Sequence, residues 1–260
     1  MLKRAVVISL SCGALAIGCG SQSHGDTNEI IENLVQAGFP RSDIQVFDGV
    51  VYTGLDAEVS LEASREMLTG DSGTQEQYRT TNLVGTTVTN ICVNGAAFAS
   101  NAKFSQGLDL AIQNYNQQAL RWHMTRTSGS TTGCSATITA LFAQGVTGGS
   151  SGFPSGGRPF NTINIGTGLN SATYSVDVLE HVITHELGHT VGFRHSDYFN
   201  RAISCGGAAS NEGTAGVGAI LIPGTPSGAT VGGSIMNSCF RTTETGELTA
   251  SDRTALNAIY

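Results

Sequence analysis

Charge is scarce in this chain. Only 13% of its 260 residues are Asp, Glu, Lys or Arg, which fits neither a coiled coil nor a disordered tail. The charges sum to −7. No basic footprint therefore points to nucleic acid, and the mild acidity reads as solubility. Past residue 19, no apolar run is long enough to span a bilayer. There is no internal repeat. No two cysteines stand in CxxC spacing, which argues against a cysteine zinc site. Histidine is rare, with six residues in all. Glycine is abundant at 34, so the expectation is one loop-rich globular domain plus an accessory segment.

The first residues, MLKRAVVISLSCGALAIGCGSQS, begin with Lys3 and Arg4 and continue into a short apolar run over residues 5–17. Small residues and Cys19 follow. This layout predicts a secretory signal over residues 1–19. Residues 15–19 resemble a bacterial lipoprotein site, cut before a cysteine that is then lipidated, although the leucine falls one place early. Cys19 is thus the lipidation candidate, and an ordinary signal cut nearby is the alternative. Either implies export, to the cell envelope or beyond it, with membrane contact only through such a lipid. Export leaves Cys92, Cys134, Cys205 and Cys239 in an oxidising compartment, where two disulfides are expected. Three pairings are possible. Cys92–Cys134 and Cys205–Cys239 are the sequence-local choice.

After the signal, residues 28–37 read as a short amphipathic helix, 44–53 as a strand and 61–68 as a second helix. Residues 69–81 are polar and glycine-rich, like an exposed linker that proteases nick. This sets a boundary near residue 80, with 20–80 leading and 81–260 following. In the second part, strands are expected over 83–93, 120–127, 136–142 and 160–165. Helices are expected over 104–120, 177–192 and 248–260, the last with Thr249 and Asp252 as a cap pair. Residues 145–157 and 206–233 read as glycine-rich loops.

Four of the six histidines lie within THELGHTVGFRHSD and the four residues before it. On a helix, His185 and His189 project from one face a turn apart and can share a metal ion. Glu186 cannot easily reach that metal but can reach a water on it. Gly192 can take the left-handed conformation that ends a helix, letting His195 swing round as a third ligand. Three protein ligands leave one position open, as catalytic zinc sites do. Zinc held by neutral imidazoles lowers the pKa of its water to about 7. Glu186 can take that proton and pass it to a leaving amine. His181, one turn before His185, reads as a neighbour of the ligands or as packing. His123 reads as structural, and His24 has no specific role.

HELGHTVGFRH resembles the zinc-binding consensus of the metzincin metalloendopeptidases. Ser234-Ile235-Met236-Asn237, 41 residues from His195 to Met236, stands where that clan has its Met-turn. Within the clan the chain is most similar to the bacterial dual-action HEIGH metallopeptidases, with Leu187 where that name has isoleucine. The likeness runs from about residue 84 to 260, through SIMNSCF and LTASDRTALNAIY. Ser196 and Ser238 replace a glutamate and a tyrosine of the astacins, so no tyrosine ligand is expected. No matrixin cysteine switch precedes the domain. Asp197 either orients a ligand histidine or is a solvated turn residue.

The resemblance implies an α+β zinc-protease fold. A twisted mixed sheet, a backing helix and an active-site helix would be followed by an irregular C-terminal part with the Met-turn and a final helix. It implies a sheet edge above the zinc that pairs with extended peptide, for which residues 160–165 are the candidate. It also implies that residues 20–80 are a propeptide, with Asp48 or Asp56 able to block the zinc. The function expected is an exported zinc endopeptidase, acting as a monomer on peptide or protein. The alternatives are a lipid-anchored binding protein with an idle zinc site, or a zinc hydrolase of another amide. Calcium is open; residues 206–233 hold only Glu212 as a carboxylate, too few for a dedicated site.

Overall fold

The computed structural model describes residues 24–69, 78–213, 219–226 and 228–260. The expected signal with Cys19, most of the 69–81 linker and parts of the 206–233 stretch lie outside them. Among the described residues no helix is long and apolar enough to cross a membrane.

The leading part begins with α1 (His24–Gln36). Its Ile30 and Leu34, one turn apart, are fully buried. The stretch 44–53, expected as one strand, is a hairpin of β1 (Gln45–Phe47) and β2 (Val50–Thr53). Asp48 and Gly49 break it, both with positive φ, at 48° and 81°. An Asp-Gly pair in that conformation matches the twist of an antiparallel pair, and the valines on both sides hid it. β3 (Ala57–Glu58) and α2 (Leu61–Met67) follow, the helix capped by the Ser60 side chain. Ile30, Leu34, Phe39, Val51 and Met67 form a small core that also takes in Phe153 from the later part.

The later elements are β4 (Tyr78–Arg79), β5 (Asn90–Asn94), α3 (Ala102–Asn116), β6 (His123–Thr127), β7 (Ala136–Ala143), β8 (Gly149–Gly152), β9 (Thr162–Gly166), α4 (Val176–Thr190), α5 (Ala202–Cys205), β10 (Ile220–Leu221) and α6 (Ala250–Ile259). Strand structure in 83–93 is confined to its end. Gly85 donates to the Gly157 carbonyl and Val88 closes a turn back onto Gly85, so the residues before β5 have no ladder to join.

Among the described residues, eight strands form one sheet in the order β1-β2-β3-β8-β9-β7-β5-β6. β6, β5, β7 and β9 run parallel; β8 is antiparallel to β9. Residues 160–165, expected at the edge, therefore lie inside the sheet around β9. The strand beyond is β8, from the glycine-serine stretch expected as a loop. Gly-Ser-Ser-Gly has little strand preference of its own, and partners on both sides supply its ladder. Ser150 lies opposite Asn164. Ser151 and Gly152 lie opposite Ala57 and Glu58 of β3. The leading part thus extends the sheet by three strands, running parallel to β8 at the junction.

α4 is buried from Val178 to Thr190, packed against α3 and the sheet. α6 carries the expected capping box of Thr249 and Asp252. Both sequence-local disulfides are present, Cys92–Cys134 and Cys205–Cys239. The first ties β5 to the loop before β7 across a sequence separation of 42. Chain-entropy reasoning gives such a loop about 4 kcal/mol. Replacing both cysteines with serine should lower Tm by roughly 10 °C in a calorimetric scan, and an unchanged Tm would refute that contribution.

Candidate metal centre

The helix α4 starts at Ser175, whose side chain accepts from the Val178 N–H. It ends at Gly192, with φ at 105°. Gly192 N donates to His189 O at 2.9 Å, and Phe193 N to Gly188 O at 3.1 Å, the paired bonds of a glycine-terminated helix. A side chain at 192 would also meet the Asn82 carbonyl at 2.6 Å. The reversed chain is held by β4, as Arg194 N donates to Tyr78 O at 2.7 Å. That reversal carries His195 back to the helix.

His185 Nε2 lies 3.0 Å from His189 Nε2 and 3.2 Å from His195 Nε2. Each ring's other nitrogen is committed. His185 Nδ1 donates to Ile235 O at 2.8 Å, His189 Nδ1 to Phe193 O at 2.7 Å, and His195 Nδ1 to Glu212 Oε1 at 2.6 Å. Carbonyls and carboxylates only accept, so these bonds place the hydrogen on Nδ1. Neutral rings so held aim three Nε2 lone pairs at one another. They repel unless a positive charge lies among them.

Asp56, from the leading part, closes the group. Its carboxylate oxygens lie 3.6, 3.5 and 3.2 Å from the Nε2 atoms of His185, His189 and His195. Its Oδ1 is buried with no hydrogen-bond partner. The four candidate ligand atoms all lie within 4.8 Å of one another. Three imidazoles and one carboxylate oxygen fit a tetrahedral divalent cation. Burial holds the His189 ring down to about 4, hence neutral. Burial would also depress His195, but Asp56 and Glu212 on its two nitrogens outweigh this and hold it well above the ordinary value. A cation at Nε2 would take the place of that proton. Burial pushes Asp56 up, yet the charge of His195, whose Nε2 lies 3.2 Å away, holds it well below the usual carboxylate range. Asp48 stands apart, exposed in the hairpin turn.

Glu186 is buried beside the three histidines. Its Oε2 has no hydrogen-bond partner. Burial, reinforced by the charge of Asp56, pushes its pKa well above the carboxylate range. Glu186, His185 and His181 line one cavity of about 280 Å³. His181 does not join the Nε2 cluster; its nearest ionic neighbour is Glu244, 3.8 Å from Nδ1.

The turn 234–237 supports the centre from below. Asp252 of α6 accepts from Ser234 Oγ at 2.6 Å and from Ile235 N at 3.0 Å. This fixes the Ile235 carbonyl that orients His185. A side chain at Gly188 would lie 2.5 Å from Met236 Sδ, so the sulfur packs directly on the helix between the two histidines. Asp197 touches no ligand histidine among the described contacts. It accepts from Ser238 N and Ser204 Oγ, tying the chain after His195 to that after Met236. Glu212, singled out in the sequence only as a lone carboxylate, too few for a calcium site, is the carboxylate that orients His195. It is fully buried and also pairs with Arg194 at 3.5 Å. Its isolation in a glycine-rich stretch left no spacing signal to find it by.

Residues 51–260 match the family described as dual-action HEIGH metallo-peptidases. The chain belongs to that family. The match begins inside the leading part and takes in Asp56, whereas the likeness read from motifs began near residue 84. No curated protein matches the chain significantly. Two solved structures of myroilysin are similar, both at 16% identity. One has a TM-score of 0.43 and covers 69% of this chain and 95% of its own. The other has a TM-score of 0.40, with 74% and 92% covered. As a HEIGH metallopeptidase the chain hydrolyses peptide bonds with a bound metal.

Removing the carboxylate behind a ligand histidine weakens metal affinity by roughly 10- to 100-fold. Glu212→Ala should do so in a chelator competition, with Glu212→Gln retaining most of the affinity because it can still accept from Nδ1. Wild-type affinity in the alanine variant would remove Glu212 from the site.

Proposed function

We propose that the chain is an exported zinc endopeptidase kept inactive by residues preceding about 80. The observation that carries this reading is the convergence of three Nε2 atoms, from His185, His189 and His195, on the Asp56 carboxylate. A nitrogen-rich set with one oxygen favours zinc over magnesium or calcium. Zinc, when bound, would polarise a substrate carbonyl and lower the pKa of water at its open position. His185, His189 and His195 would hold it, each oriented through Nδ1. Glu186 accepts the proton of the attacking water and returns it to the leaving amine. Asp56 fills the position that water needs, so it must leave before turnover. β8, with its glycines, is the strand best placed to pair with extended substrate. β3 covers it, so the same segment blocks both metal and strand. Cutting within 69–81 would free it.

Casein cleavage tests the reading. Residues 20–260 nicked in the 69–81 stretch should cut casein, and a zinc chelator should stop this. Glu186→Ala should lower turnover by roughly 100-fold or more with zinc still at one per chain. His189→Ala should lose the zinc. Stoichiometric zinc with no cleavage by the nicked protein would sink the peptidase reading.

Relief of the block is separately testable. Asp56→Ala should raise the activity of the uncut chain, and Asp48→Ala should not. Equal activity in Asp56→Ala and wild type would end the inhibitory role.

A further inference from the structure

Two carboxylates meet Arg201, one from each part of the chain. Asp43 Oδ1 of the leading segment accepts from Nη1 at 2.7 Å. Glu212 Oε1, the oxygen that orients His195, lies 3.6 Å from the same nitrogen. Arg201 is fixed by the later part. Its backbone N–H donates to Ser210 O and its Nη2 to Ser210 Oγ, both at 2.8 Å. The guanidinium is thus anchored beside Glu212 by its own stretch of chain, with Nη1 turned to the segment.

The segment also shields the bond between Glu212 and His195. A Cβ built at Gly54 would lie 3.1 Å from Glu212 Oε2 and 3.2 Å from His195 Nδ1. A Cβ at Gly213 would run into Gly38 O and Phe39 Cα. The Phe39 ring covers Arg194, the other partner of Glu212, at 4.3 Å from the ring centre. Asp43 holds part of this cover in place, since its Oδ2 accepts from Thr53 Oγ1 at 3.1 Å and from Gly54 N at 2.9 Å.

Departure of the segment therefore changes two things at once. Glu212 loses its cover, and in water its electrostatic hold on His195 weakens. Arg201 loses Asp43, its nearer counter-ion. Glu212 is the carboxylate already at hand. A shift of about 1 Å would bring Nη1 to the distance of a charge-assisted hydrogen bond.

We propose that Arg201 is a positioning residue that changes partner. It holds Asp43 while the segment is in place, and it closes on Glu212 Oε1 once the segment leaves. There it keeps the carboxylate aimed at His195 Nδ1 in the working enzyme. Asp43 then both anchors the segment and withholds Arg201 from the metal centre. The inference rests on the reading of the leading segment as inhibitory and names how its departure reaches the metal.

The test uses the full chain, uncut and nicked in the 69–81 stretch, with release of the segment followed by size exclusion. Zinc affinity is read in each state by chelator competition. Arg201→Gln keeps a donor for Ser210 and loses the charge. It should weaken zinc by roughly tenfold after release, and by less in the uncut chain. Arg201→Lys should recover part of the loss. Asp43→Asn should match wild type after release. Both Arg201→Gln and Asp43→Asn should speed release from the nicked chain by roughly tenfold, since each removes a charge-assisted bond. Wild-type zinc affinity in released Arg201→Gln overturns the assignment. An equal loss in the uncut and released states would mark a fixed scaffold and overturns the exchange of partners, as would a segment that stays on the nicked wild type. Neither readout needs substrate, so casein cleavage by the same preparations reports separately on the peptidase reading.

Discussion

Three imidazoles in a buried site, with His185 Nε2 only 3.0 and 3.2 Å from the Nε2 atoms of the other two, are the constraint around which this structure is arranged. They can be held so only if each Nδ1 has an acceptor. The three acceptors come from three different places: Ile235 in the turn before α6, Phe193 in the chain just past α4, and Glu212 in the glycine-rich stretch. Each acceptor is fixed in turn. Asp252 holds the turn at Ile235. The glycine-terminated helix end places Phe193. Arg194 pairs with Glu212. Much of the irregular C-terminal part therefore exists to fix ring orientation around a cation, a role that regular elements alone do not fill.

The leading segment meets the same centre from the other side. Asp56 supplies the fourth candidate ligand atom, an oxygen, and the strand after it extends the sheet through β8. Asp43 accepts from Gly54 N at 2.9 Å and pairs with Arg201 at 2.7 Å, so the segment is pinned before Asp56 as the β3–β8 pairing pins it after. A carboxylate at an exposed tip would be swept aside by water. This one is placed by a strand, a hairpin and an ion pair together, which gives it a fixed position against the three histidines.

The helix α4, its terminating glycine and the histidine periodicity were legible because they are local. Spacing of four residues puts two rings on one face, and only a few residue types end a helix as Gly192 does. The capping box of α6 and the two disulfides were legible for similar reasons. β8 was not, since Gly149–Gly152 has no strand preference and owes its conformation to β9 and β3. The hairpin at Asp48–Gly49 was hidden by apolar residues continuing on both sides of a two-residue turn.

The sequence by itself determined the converging histidines, the glutamate beside them and the family to which the chain belongs, because their geometry follows from one helix and one turn. Tertiary structure alone decided which aspartate meets the histidines, which carboxylate orients His195, and which strand borders the cleft. Asp48 and Asp56 look alike in the chain, and Glu212 is an isolated acid in a glycine-rich stretch. Their roles come from contacts across many residues of separation, where burial turns an ordinary carboxylate into one that must find a specific partner.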